Sequence, residues 1–134
     1  MVNILDNEFV TLVYEDENAL LFDVYKANIA FETIQASLNA GLQKMNETHA
    51  NRWLTDTRAI GGFSEAGAQW VLTDWAPRAL EAGWKYWALV VPEAMEGRVA
   101  MVQFVNAFAQ VGIRVRVFID INKARQWVVN IVDE

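Results

Sequence analysis

The chain opens with two apolar-rich runs. Phe9–Glu15, F-V-T-L-V-Y-E, and Ala19–Tyr25 are rich in β-branched, aromatic and aliphatic residues, and a polar break at Asp16-Glu17-Asn18 divides them. That is the pattern of an antiparallel hairpin. From Asn28 to about His49 the period changes: Ala30, Phe31, Ile34, Leu38, Leu42 and Met45 recur every three or four residues, with Glu32, Gln35, Asn39 and Gln43 between them. This spacing predicts a long amphipathic helix. A strand is expected at Arg52–Asp56, followed by a glycine-bent turn and a second helix opening at Ser64. Its apolar face is Ala68, Val71, Leu72, Trp75, Ala79 and Ala82; Pro77 should kink it and Gly83 should stop it.

Trp84–Val91 is almost continuously apolar and closed by Pro92, as expected of a central strand buried on both faces. Glu93–Val111 reads as a third helix, with Met95, Val99, Val102, Val105 and Ala109 toward the core and Met101, Phe104 and Phe108 on a second stripe. Arg114–Ile119 alternates with period two and sets its two arginines on one side. Asp120 or Asn122 then caps a last helix that turns Ala124, Trp127, Val128 and Ile131 inward. The predicted order ββαβαβαβα describes a single α/β domain over residues 1–134, with a mixed five-stranded sheet: an antiparallel N-terminal hairpin and parallel remaining strands.

Right-handed crossovers between sequential neighbours send the connecting helices to one face of such a sheet. The other face is then only partly covered. Trp53, Arg114, Arg116, either Tyr86 or Trp87, and a row from the hairpin are expected there, and a patch of that kind points to a homodimer contact.

Composition sharpens this picture. The chain is 54% hydrophobic with six Trp, so apolar surface for a partner is plausible on top of a full core. A formal net charge of -6 argues against nucleic acid, whose binding begins with neutralised phosphates. There is no cysteine for a disulfide or a thiolate metal site, no basic-then-apolar leader, and no apolar run long enough to span a membrane. These features lead us to expect a cytoplasmic protein.

The strand W-L-T-D-T-R, the helix segment W-A-P-R-A-L-E-A-G, the strand Y-W-A-L-V-V-P, and I-R-V-R-V-F-I-D before a final A-R-Q-W together resemble the SpoIIAA-like branch of the STAS (sulphate transporter and anti-sigma factor antagonist) superfamily, from about Val10 to Val129. The resemblance implies a βα superhelix on a mixed sheet and a non-enzymatic docking or switching role. In that family a serine at the start of the second helix, within Asp-Ser-Ser-Gly, is phosphorylated to switch partner binding. Ser64 holds the corresponding place, but in the context G-G-F-S-E-A-G.

Two groups of candidate site residues emerge. Asp56 and Arg58 end a parallel strand, where open α/β sheets place ligands, and with Ser64 could form a phosphate or partner site. Structural roles explain all three as well: Asp56 holding the turn or Arg58, and Ser64 capping a helix. Trp70, Trp75, Met101, Phe104 and Phe108 could line a groove between the second and third helices for an apolar, lipid-like small molecule or a partner, or simply widen the core face. No nucleophile–base pair is evident. The single histidine, His49, falls in the last turn of the first helix without a Ser or Asp partner, so neither catalysis, a metal nor a cofactor is expected.

Overall fold

The computed structural model describes residues 1–27, 30–60, 64–95 and 99–132, with the backbone alone for residues 95 and 99–104. Six strands form one sheet: β1 (Val2–Asp6), β2 (Val10–Glu15), β3 (Leu20–Tyr25), β4 (Arg52–Asp56), β5 (Tyr86–Val90) and β6 (Arg114–Phe118). They lie side by side in chain order. β1, β2 and β3 pair antiparallel, and β3 through β6 pair parallel. The mixed α/β sheet is as expected, with six strands in place of five. The extra one, β1, is Val2–Asp6. Its polar residues Asn3 and Asp6 mask it, and a bulge between Asn3 and Leu5 breaks its alternation.

Helix α1 (Phe31–Thr48) starts at Phe31, and His49 is the residue that ends it. His49 adopts φ 62° and donates its amide to Met45 O. The second predicted helix is three pieces: α2 (Glu65–Trp70), a π turn at Val71–Trp75, and α3 (Ala76–Glu81). The wider turn, closed by Ala76 N–H on Val71 O, is how the chain accommodates Pro77 in the first turn of α3. In the third predicted helix, Glu93–Met95 is a short 3-10 turn and α4 is Val99–Gln110. Gly83 and Gly112 take positive φ where their helices stop, as glycine allows.

The crossover helices α1, α2–α3 and α4 cover one face of the sheet. Between them and the strands lies the larger core, including Leu12, Leu21, Trp53, Trp87 and Leu89. Helix α5 (Ile121–Asn130) returns over the opposite face, setting Ala124 and Val128 on Leu20, Leu54, Tyr86, Ala88 and Val90. Two arginines tie it down. Arg125 of α5 donates to Glu15 Oε1 at 2.6 Å and lies 4.9 Å from the Phe22 ring centre. Arg52 of β4 donates to Val128 O at 2.7 Å, serving a carbonyl in the last turn of α5, while stacking on Tyr86 at 4.8 Å.

This arrangement corrects the expected bare face. Trp53 is in the helix-side core, one residue out of register with the arginines; Arg52, Tyr86 and Arg114 share the other face. Of the Tyr86/Trp87 alternative, Tyr86 is the residue on that face, and it is buried beneath α5. Only Arg114 and Arg116 remain exposed as expected.

Candidate functional site

Asp56 and Arg58 sit together at the C-terminal end of β4, and each uses the other. Asp56, buried at the strand end, accepts the Arg58 amide on Oδ1 at 3.0 Å, the Arg58 Nε at 3.1 Å, and Arg58 Nη2 on Oδ2 at 2.8 Å. Both carboxylate oxygens are therefore engaged within a three-residue turn. Donating to the Asp56 carboxylate raises the Arg58 pKa further, with an added field from Asp56 and from Asp120. Thr57 between them donates its hydroxyl to Val90 O at 2.9 Å and its amide to the same carbonyl at 2.8 Å, locking the turn onto β5.

Ser64 is the N-cap of α2, its hydroxyl accepting from Gly67 N–H at 3.1 Å. It is exposed, so its oxygen is accessible as well as structural. The Gly61-Gly62 bend lies outside the described residues.

The apolar group divides. Trp75 and Phe108 are fully buried. They belong to a stack of edge-on rings in which Trp53–Trp75, Trp75–Trp84, Trp84–Phe108 and Trp87–Phe108 centres lie 4.9–5.9 Å apart. Phe108, assigned from the sequence to a second stripe, is a core residue of α4, while Ala109 of the supposed core stripe is exposed. Trp70 is half-buried against the edge of Phe31, 6.0 Å away. The side chains of Met101 and Phe104 lie outside the described residues.

One polar cluster escapes a reading by motif. Asp23 is completely buried at the centre of β3, facing the helix layer. Its Oδ1 accepts the Trp53 indole N–H at 2.9 Å, and its Oδ2 has no hydrogen-bond partner among the described residues. Thr55, on the neighbouring strand, accepts the Trp87 indole at 2.9 Å, and the Tyr25 hydroxyl reaches Ser37 of α1 at 3.4 Å. Burial drives the Asp23 carboxyl up to about 7, against the pull of the Thr55, Trp53 and Tyr25 side chains. Burial and then the Asp23 charge push the Tyr25 hydroxyl well above its ordinary value. The signal was present in L-L-F-D-V-Y: period two from Leu21 puts Asp23 on the face that carries the core. Enclosed as it is, the cluster can hold or release a proton but offers no access to a substrate.

Among the described residues no group of three or more His, Asp or Glu could hold a metal ion, and no helix is long and apolar enough to cross a membrane.

No protein-family model and no curated protein matches the chain. Among solved structures, the NMR structure of the protein TM1081 is similar, with a TM-score of 0.60 and 12% identity over 89% of this chain and 87% of that one. At that identity the likeness is one of fold alone.

Proposed function

We propose that the protein is a cytoplasmic, non-enzymatic regulatory or protein-interaction module of the STAS-like type. One observation carries this reading: at the strand ends where α/β sheets usually act on ligands, the polar side chains are committed to the fold. Asp56 and Arg58 close on each other, and Ser64 caps α2 while keeping its hydroxyl at the surface. Such an end is built to be recognised rather than to react. Ser64 is then the residue through which a partner or a phosphate would act, with the helix start favouring added negative charge and Glu65 opposing it.

The homodimer form of this reading has limited surface on the α5 side. There the half-buried Thr11, Val13, Phe22 and Val24 flank the helix. Native mass spectrometry of the protein purified from its own host tests the proposal. The expected result is a complex with protein, either a second copy or another chain, and no retained small molecule. A stoichiometric apolar ligand on the isolated chain would overturn it in favour of a carrier.

A further inference from the structure

Strand β6 ends the sheet, and among the described residues no strand pairs with its outer edge. The bonds that frame its ladder, Arg114 N–H to Lys85 O at 2.8 Å and Val91 N–H to Phe118 O at 2.9 Å, aim the even-numbered residues of β6 at β5. The N–H and C=O groups of Val115 and Val117 therefore face outward, ready for another strand. An open groove of about 540 Å³ runs along this edge, lined by Ala109, Ile113, Arg114, Val115, Arg116 and Trp127 among others. In the chain just before and just after β6, two large apolar side chains are exposed, Val111 at 45% and Ile119 at 38%.

The two faces of the edge differ in chemistry. Arg114 and Arg116 are exposed on the α5 side, Arg116 with its guanidinium 5.1 Å from the Phe118 ring centre; Val115 and Val117 are on the helix side, half-buried. A net charge of -6 makes this pair of cations on one edge a local exception. We infer that the outer edge of β6 binds an extended acidic segment of another protein by strand addition, its acidic side chains on the arginine side and apolar ones on the valine side. Twofold antiparallel pairing of β6 with itself about Val115 sets Arg114 against Arg116, and pairing about Arg116 sets Arg116 against itself; like charges directly opposite destabilise both registers.

The proposal names a partner chemistry for the interaction module and rests on that reading. It is tested by titrating the isotope-labelled full chain with a capped peptide of alternating glutamate and valine. The Val115 and Val117 amides are expected to shift and to become protected from exchange. Replacing glutamate by lysine in the peptide, or Arg116→Glu in the protein, should weaken binding at least about tenfold, consistent with opposed rather than matched charge. Methylating alternate amides of the peptide, which leaves the protein unaltered, should abolish binding in one of the two possible phases. Equal binding of the lysine peptide, perturbations mapping away from β6, self-association through β6, or no binding at all would each overturn the edge proposal. Protein complexes from the host that survive Arg116→Glu would leave the module reading standing while removing this edge from it.

Discussion

Asp23 shows how a single residue can set a property of the whole fold. Its carboxyl titrates near 7 in the native protein against an ordinary value of 3.8, so the folded state holds a proton that the unfolded chain has released. The stability this proton provides is complete below about pH 4 and is lost as pH rises through 7. Asp23→Asn should therefore be the more stable protein at pH 8, by up to about 4 kcal/mol, the cost at about 1.4 kcal/mol per pH unit of the gap between 3.8 and about 7. The advantage should vanish near pH 4; a difference in urea midpoint that is flat with pH would refute the assignment. Gly41 is a second such position. A Cβ there would come within 2.1 Å of the Trp53 ring, so Gly41→Ala should destabilise by about 1–3 kcal/mol through overpacking, despite alanine's better helix propensity, as thermal unfolding would report. Ser64→Ala, removing only the cap, should cost about 1 kcal/mol.

At the scale of elements, α5 is the piece whose placement depends on long-range polar ties. Burial alone would raise the Glu15 carboxyl, but hydrogen bonds from Arg125 and Asn18 more than reverse that and leave it below the usual range. Its contribution is thus present above about pH 4.5 and lost on acidification, opposite in sign to that of Asp23. Arg125→Ala strands a carboxylate that is 5% exposed, and a loss of about 2–4 kcal/mol is expected in urea denaturation. Combining Glu15→Gln with Arg125→Met should recover most of it, since no buried charge is then left alone. The π turn before Pro77 teaches a related lesson. A proline in the sequence announces an irregularity, whereas the form it takes depends on how Val71 and Trp75 are buried on either side.

At the scale of the molecule, the sheet is packed on both faces, with the three helical crossovers α1, α2–α3 and α4 on one side and α5 on the other. Trp53, Trp75, Trp84 and Trp87 report on the first interface and Trp127 on the second. Cooperative unfolding should give coincident midpoints by far-ultraviolet circular dichroism and by the Trp127 signal, taken as the fluorescence difference between the protein and its Trp127→Phe variant; an earlier Trp127 transition would make α5 a separate unit. The element order from β2 onward, the parallel pairing, the cap at Ser64, the pair Asp120 and Asn122 from which the last cap comes, and the stops at Gly83 and Gly112 were all legible in the chain. They depend on local periodicity and backbone preference, which neighbouring residues determine. The candidate trio was legible as types and spacing, and the sequence already offered Asp56 holding the turn or Arg58; the structure decides for that role over an open phosphate site by engaging both carboxylate oxygens with Arg58. Which face Trp53 joins, whether Phe108 lines a groove or fills the core, and whether Asp23 finds enough partners are tertiary questions. A shift of one residue reverses a strand's faces, and a buried carboxyl is tuned by groups that reach it from the neighbouring strand as well as from its own.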